Sequence, residues 1–232
     1  MYKPMFVWLG SGRARKRGVG GDGRFLDEAT RAGLPVPAGA VVLDEFYRFG
    51  RESGLVAGSA ERPLIPDTEL WHNTLFHSVR LPPFARPVIV RPSFSAAWVG
   101  ESADNSSARR AIHLNDPDAA AVALAGAWAL AIQNGATRAD VLIVEMLPAA
   151  QSGWVTLGED ADRLLPGPDG LPDGLLPRLP GRAAPDATLP PFARRLQLLL
   201  RGVRRTFNPA PPRIAWADDG AICHLLGIAE QA

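Results

Sequence analysis

Gly18-Val-Gly-Gly-Asp-Gly-Arg-Phe-Leu-Asp-Glu-Ala-Thr-Arg-Ala-Gly-Leu-Pro-Val-Pro-Ala-Gly39 is the stretch that decides the fold of this chain. Its glycine-dense beginning predicts a loop, and the residues after Gly23 predict a short helix that stops at Gly33, because the prolines beyond it cannot continue a helix. A glycine-rich loop that opens a helix can bind phosphate, since glycine lets the backbone come close and the first helical N–H groups point at the anion. A flexible surface loop is the alternative interpretation.

The composition is that of an ordinary globular protein. The chain has 232 residues, of which 47% are hydrophobic and 21% are charged, enough for one domain or two small lobes. A formal net charge of +1 gives no reason to expect nucleic-acid or membrane binding over the whole surface. The single cysteine, Cys223, excludes an internal disulfide and favours a reducing compartment. No apolar run reaches membrane-spanning length, so no membrane span is expected. The single cysteine and the lack of a signal-peptide pattern lead us to expect a cytoplasmic protein.

Hydrophobic periodicity and turn residues predict the remaining elements. Strands are predicted at 5–9, 38–43, 87–93, 140–147 and 152–157, helices at 44–51, 67–79, 117–134 and 189–207, and a terminal hairpin at 213–226. Residues 158–188 are rich in Gly, Pro, Asp and Leu with little periodicity. They are predicted to form a loop that is long for a compact domain.

The opening stretch resembles the nucleotide-binding domain of phosphoenolpyruvate synthase and pyruvate phosphate dikinase. That domain reads Gly-Gly-Lys-Gly-Ala-x-Leu-x-Glu-Met and then Gly-Leu-Pro-Val-Pro-x-Gly. Residues 33–39 are similar to the second half, whereas Asp22 replaces the lysine of the first half. Further segments match in order: 88–93 (family Val-x-Val-Arg-Ser-Ser), 141–147 (Val-x-Val-Gln-x-Met-Val) and 213–220 (Asp-Ile-Glu-Trp-Ala-x-Asp-Gly).

The resemblance implies a fold and a division of the chain. The expected class is α+β, ATP-grasp-like, with two small lobes built from mixed or antiparallel sheets and packed helices. An N-terminal lobe over 1–137 would resemble the first ATP-grasp subdomain, and 138–232 would be a shortened C-terminal lobe that contains the loop 158–188.

The resemblance also implies a nucleotide site. The family arginine that contacts nucleotide phosphates matches Arg91, and the strand that binds adenine through its backbone matches the segment with Glu145 and Met146. Arg24 and the basic loop 13–17 are the available substitutes for the missing lysine. The candidate phosphate- or nucleotide-binding residues are Gly20, Gly21, Gly23, Arg24, Arg91, Glu145 and Met146. A structural salt bridge at Arg91, edge-strand positions at the last two and a solvated basic loop at 13–17 are the alternatives.

The metal site of the family is missing from the matched positions. Its two acidic hairpin positions match Arg213 and Ala215, its glutamine matches Gly227 and its arginine matches Ala229. Since ATP-grasp chemistry needs two carboxylates to hold magnesium on the polyphosphate, we expect no metal ligands and no catalytic residues. No cofactor is assigned, and ATP binding without a well-formed magnesium site stays open.

Three functions remain open. The first is a pseudoenzyme: a non-catalytic binding or structural subunit that works with a protein partner or assembly. The second is a diverged, phosphotransferase-like enzyme that binds ATP or another phosphate ligand and is completed by a partner. The third is a nucleic-acid-associated protein that uses the arginines of 13–17 and 194–205, against which the near-neutral net charge argues.

Overall fold

The computed structural model describes residues 4–78, 81, 84–93, 111–165 and 174–229. They form two compact units. The first unit contains the described residues up to 24, from 38 to 93 and from 111 to 146; the second contains 25–37 and 147–229. The strand pairs of the described residues are antiparallel, and helices accompany both sheets, so the predicted α+β class with two small lobes is confirmed.

The first unit is built on a four-stranded antiparallel sheet. Its strands, in the spatial order β1-β2-β6-β5, are β1 (Phe6–Trp8), β2 (Gly39–Val42), β6 (Val141–Glu145) and β5 (Val88–Pro92), and a separate two-stranded ribbon joins β3 (Ala57–Gly58) to β4 (Pro63–Leu64). All four residues of the inner strand β2 are buried, as are the first four of β6. Such continuous burial explains why these segments appear in the sequence as apolar runs rather than as alternating patterns.

Four α-helices belong wholly or partly to the described residues of this unit, besides a 3-10 turn at Arg15–Arg17. They are α1 (Gly21–Arg31), whose first turn lies in the unit, α2 (Asp44–Glu52), α3 (Thr68–Asn73), which continues as a π-helical turn over Thr74–Ser78, and α4 (Pro117–Gln133). The Asp116 side chain accepts the Ala119 N–H at 3.1 Å and caps α4, with proline in its first turn, as predicted. Trp128 of α4 is fully buried with Trp71 and Phe46 in the core. The predicted end of the preceding helix, Val79, lies outside the described residues.

The second unit is a five-stranded antiparallel sheet covered on one face by a long helix. The strands, in the order β11-β10-β7-β8-β9, are β11 (Cys223–Ala229), β10 (Arg213–Asp218), β7 (Gln151–Thr156), β8 (Ala161–Leu165) and β9 (Gly174–Pro177), and the helix is α5 (Pro191–Thr206). The apolar side of α5 packs against β9, β10 and β11, and its Phe192 ring stacks on Trp216. The last part of α1 belongs here too, and Gly33, with a φ of 81°, follows it in the left-handed conformation, as its predicted stop position requires.

The prediction of a loop over 158–188 is wrong at 161–165 and 174–177, which form β8 and β9, whereas 178–188 contain no helix or strand. The sequence hides β8 because the buried position of this strand is occupied by Asp162, whose carboxylate binds Arg204 of α5. Residues 166–173 of the same prediction lie outside the described residues. The predicted boundary after 137 also differs from the observed division, because β6 pairs with β2 and β5 of the first unit.

No helix among the described residues has both the length and the apolar character needed to cross a membrane.

Candidate functional site

The glycine-rich loop meets the end of β5 inside the first unit. Gly21, the first residue of α1, has a φ of 51°, which favours glycine. A Cβ on Gly23 would lie 2.4 Å from Ser93 Oγ and 2.8 Å from a Val41 methyl, so glycine is needed there for packing inside the protein. A Cβ on Gly20 would have no heavy atom within 4 Å apart from those of Gly20 and its two chain neighbours. Backbone conformation and packing therefore explain the glycines at positions 21 and 23, whereas neither explains the glycine at position 20.

Asp22 and Arg91 form an ion pair at this loop. Asp22 lies in the first turn of α1, where a carboxylate interacts favourably with the helix dipole, and it is buried. The Arg91 guanidinium reaches it from β5 through Nη1 and Oδ2. The residue that replaces the family lysine is thus an internal anion, and it lies against the cation that the resemblance assigns to nucleotide phosphate.

Ser93 adds a second internal contact to the same loop. Its hydroxyl accepts the Gly23 N–H at 2.9 Å and donates to the Gly20 carbonyl at 3.2 Å, and the side chain is buried. One of the first-turn N–H groups that would face a bound anion is therefore used by the protein itself. Sequence reasoning missed Ser93, although it occupies the last position of the Val-Arg-Pro-Ser segment.

Glu145 and Met146 lie elsewhere in the unit. The β5–β6 register pairs Glu145 with Val88 and Leu142 with Arg91, so about 10 Å of strand separates Glu145 from the arginine. The Glu145 N–H donates to the Ala38 carbonyl and the Met146 N–H to the Pro87 carbonyl, both at 2.8 Å. The structure brings the glycines and Arg91 together but not these two residues, and their predicted adenine contacts stay a prediction.

Arg24 and the basic loop have different surroundings. Arg24 is exposed, one residue beyond Gly23. In the loop, Arg17 donates to the Pro4 carbonyl at 2.7 Å and pairs with Glu45 at 3.4 Å, whereas Arg13, Arg15 and Lys16 are exposed. Arg17 is consequently a structural residue, and the exposed basic side chains are those that could meet an anion.

A charged network at the start of α2 was not predicted. Arg138 binds Asp140 at 2.9 Å and Glu45 at 3.0 Å, and its hydrogen bond to Asp140 raises the pKa of the guanidinium. Asp140 also accepts the Asp44 N–H at 2.8 Å, and Asp44 accepts the Ala139 N–H at 3.0 Å. Because every carboxylate here has internal partners, the network explains local stability rather than ligand binding.

The hairpin of the second unit carries the positions that the resemblance assigns to magnesium ligands. Arg213 lies over the Trp154 ring, 4.8 Å from its centroid, and Ala215 follows two residues later on the same face of β10. A guanidinium and a methyl group do not bind a cation, so these residues do not fit a magnesium ion. No cluster of three His, Cys, Asp or Glu side chains that could hold a metal occurs in the described part of the chain.

The two aspartates at the hairpin turn are engaged in structural contacts. Asp218 is buried and accepts two hydrogen bonds from Arg195, both at 2.7 Å. Asp219 accepts the Ala221 and Ile222 N–H groups at 2.9 and 2.7 Å. These backbone hydrogen bonds, with a smaller contribution from His224, lower the pKa of Asp219 to about 2.

Comparisons with known proteins identify no family. No protein-family model and no curated protein matches the chain. Among solved structures, the crystal structure of D-cycloserine synthetase DcsG is similar with a TM-score of 0.45 and 13% identity, over 94% of this chain and 64% of that chain. This chain thus spans less than two thirds of that protein's length, and a likeness of this degree carries no functional argument.

Proposed function

We propose that this chain is a non-catalytic relative of the phosphoenolpyruvate synthase and pyruvate phosphate dikinase nucleotide-binding domain, with an ATP-grasp-like fold. In this proposal it acts as a binding or structural subunit of a larger assembly in the cytoplasm. The support comes from the glycine-rich loop and the terminal hairpin. At each of them, the residue at the position of a charged family residue contacts another residue of the protein: Asp22 binds Arg91, and Arg213 lies over Trp154.

The ion pair between Asp22 and Arg91 is the observation that carries the proposal. An arginine attracts a phosphate most strongly when its charge is not already neutralised, and here the Asp22 carboxylate forms an ion pair with the Arg91 guanidinium. A nucleotide phosphate at this position would also meet the negative charge of the buried carboxylate. Both effects oppose binding of an anion to the loop.

The hairpin supports the same conclusion independently. Magnesium on a polyphosphate is held by carboxylates, and the matched positions carry Arg213 and Ala215. The positive charge of Arg213, at a position where the family has a carboxylate ligand, would repel the magnesium ion. The matched hairpin positions therefore do not supply the carboxylates that the metal-dependent step of phosphoryl transfer needs.

A thermal-shift titration tests the proposal on the full chain. We expect ATP, ADP and phosphoenolpyruvate to leave the Tm of the wild-type protein unchanged, with and without magnesium. The Asp22→Asn variant keeps the shape of the side chain but removes its charge, so Arg91 becomes available to an anion. For this variant we expect ADP at about 100 times its Kd to stabilise the fold by about 2.7 kcal/mol, a shift of several degrees.

The double variant Asp22→Asn/Arg91→Gln is the matched control, because it removes the cation as well as the carboxylate. It should show no ligand-dependent shift. A magnesium-dependent shift of the wild-type protein with ATP would overturn the non-catalytic assignment. Equal ligand shifts in the single and double variants would show that Arg91 is not the residue that Asp22 blocks.

A diverged enzyme that binds ATP or a phosphorylated ligand is the second candidate, favoured by the exposed Arg24 beside the open position at Gly20. In that case the wild-type protein would bind the ligand, and Arg24→Gln would weaken binding. Association with nucleic acid has less support, because Arg195 and Arg204 of the proposed basic face bind the buried carboxylates of Asp218 and Asp162.

A further inference from the structure

The second unit contains a cavity of about 530 Å³ between α5 and the segments that flank β8 and β9. We call it the arginine pocket; its charged walls are Arg178, Arg201, Arg204, Arg205, Glu159 and Asp160. The volume falls within the range of small-molecule sites, roughly 300–1,000 Å³. None of these residues belongs to the first unit, which contains the Asp22–Arg91 pair, so the pocket is independent of the function proposed above.

Only one of the four arginines has a carboxylate partner within the described residues. Arg204 binds both oxygens of Asp162, with 3.1 Å between Nη1 and Oδ2. Arg178, Arg201 and Arg205 instead donate to main-chain carbonyls, those of Glu159 and Ala183 at 2.8 Å and that of Gly181. A neutral carbonyl holds a guanidinium in place without neutralising it. Three full positive charges are thus gathered around one cavity.

These guanidiniums are also arranged in advance. Positions 201, 204 and 205 are spaced i, i+3 and i+4, so they share one face of α5. Each of Arg178, Arg201 and Arg205 makes one described hydrogen bond, whereas a guanidinium carries five N–H donors in a planar fork suited to phosphate oxygens. Because main-chain contacts already restrict the side chains, less conformational entropy is lost when a ligand binds.

The two carboxylates limit the kind of ligand. Glu159 and Asp160 line the same cavity and are exposed, and no salt bridge among the described residues joins either one to a guanidinium. They would repel a bare polyanion but can accept hydrogen bonds from hydroxyl groups. We propose that the arginine pocket binds a small phosphorylated molecule that carries hydroxyl groups, of the sugar-phosphate class. The phosphate binds Arg178, Arg201 and Arg205, and the hydroxyls donate to Glu159 and Asp160.

A nucleic acid fits this pocket less well than a sugar phosphate does. Its phosphates repeat along a strand and need an extended basic surface, whereas the pocket is concave and carries two carboxylates. The net charge of +1 for the whole chain provides no general attraction to a polyanion.

Isothermal titration calorimetry of the full chain with ribose 5-phosphate tests the proposal. The variant Arg201→Gln/Arg205→Gln removes two charges while keeping side chains that can donate to the Ala183 and Gly181 carbonyls. We expect its Kd to rise about tenfold or more, since hydrogen bonds to charged groups are the strong ones. The charge-matched control Arg182→Gln/Arg194→Gln changes the adjacent loop and the same helix but no wall residue, and its Kd should stay within about twofold of the wild-type value.

A second variant tests the role of the carboxylates. Glu159→Ala/Asp160→Ala should weaken binding of ribose 5-phosphate and strengthen binding of inorganic pyrophosphate, because it removes hydroxyl acceptors and negative charge together. If both ligands bind more tightly, the carboxylates act only by repulsion, and the hydroxyl-bearing class is wrong.

Absence of ribose 5-phosphate binding by the wild-type protein at millimolar concentration would overturn the proposal. The proposal would also be overturned if the Arg182→Gln/Arg194→Gln control lost as much affinity for ribose 5-phosphate as the pocket variant does. Binding of a single-stranded oligonucleotide instead of ribose 5-phosphate would overturn it as well. Thermal unfolding of each variant identifies losses caused by misfolding.

Discussion

The Ser93 hydroxyl joins the two sides of the glycine-rich loop: it accepts the Gly23 N–H at 2.9 Å and donates to the Gly20 carbonyl at 3.2 Å. The hydroxyl lies where a side chain on residue 23 would have to be. The glycine at this position therefore serves the packing of α1 against the end of β5. Substitution by alanine should therefore change the free energy of unfolding much more at Gly23 than at Gly20.

Gly23→Ala should destabilise the protein by about 1–3 kcal/mol, the usual cost of overpacking. The added methyl would lie 2.4 Å from Ser93 Oγ and 2.9 Å from a Val19 methyl, so the loop must shift. Gly20→Ala is the control: an added Cβ would lie within 4 Å of no heavy atom beyond Gly20 and its chain neighbours. The free energy of unfolding of this variant should stay within about 0.5 kcal/mol of wild type. Urea denaturation measures both, and equal losses would contradict the packing explanation.

Asp162→Ala should be among the more damaging substitutions in the second unit. It leaves Arg204, whose side chain is only 15% exposed, without its carboxylate, and it removes the acceptor of the Gly158 N–H at 3.1 Å. We expect a loss of about 2–4 kcal/mol in the free energy of unfolding. Glu159→Ala, three residues earlier and exposed, should cost less than about 0.5 kcal/mol. A small effect of Asp162→Ala would show that the ion pair contributes little.

The Cys223 thiol should not react with alkylating reagents in the folded protein. It is 3% exposed, and burial, with a contribution from the nearby Asp218 carboxylate, raises its pKa, so little reactive thiolate forms at pH 8. Iodoacetamide labelling followed by mass spectrometry should find one modified thiol only after denaturation. A cysteine at the neighbouring position, Ile222→Cys in a Cys223→Ser background, should label rapidly because Ile222 is 49% exposed. Rapid native labelling of Cys223 itself would mean that β11 opens readily.

Asp219 should contribute to acid stability. Its pKa is lowered from 3.8 to about 2 by the Ala221 and Ile222 N–H groups, so the folded state favours the ionised form. This contribution is complete above about pH 5 and is lost as the pH falls from about 4 to about 2. The difference in unfolding free energy between wild type and Asp219→Asn, which retains the side-chain acceptor, should shrink over that range. A difference that does not change with pH would assign the effect to hydrogen bonding without charge. Titration of the carboxyl carbon by NMR should show a midpoint near 2.

The sequence predicts those elements whose buried faces are apolar. The strands β2 and β6, the helix α4 with its Asp116 cap and the hairpin at Asp218-Asp-Gly220 all follow from apolar runs or local turn chemistry. By contrast, β8 was missed because its inward residue, Asp162, is charged and acquires its partner from α5. A local pattern cannot show a partner that lies 42 residues away in the chain.

The candidate site was predicted only in part, for the same reason: its residues were recognised, but not which of them contact each other. Asp22 and Arg91 were each recognised, one as a departure from the family pattern and the other as a match, but their pairing spans 69 residues. The separation of Glu145 from Arg91 depends on the β5–β6 register, which apolar runs alone do not fix. Residue identities could be predicted, whereas their mutual distances needed the fold.

The assignment of residues 25–37 to the second unit has a consequence for biosynthesis. The Pro35 carbonyl accepts the Leu225 N–H at 2.8 Å, and the ring centroids of Phe25 and Phe207 lie 4.4 Å apart. A ribosome therefore releases this early segment long before it has made the strand and helix that complete it. Residues 25–37 therefore remain without these partners until Phe207 and β11 have been synthesised, and folding of the second unit can finish only after β11 has emerged.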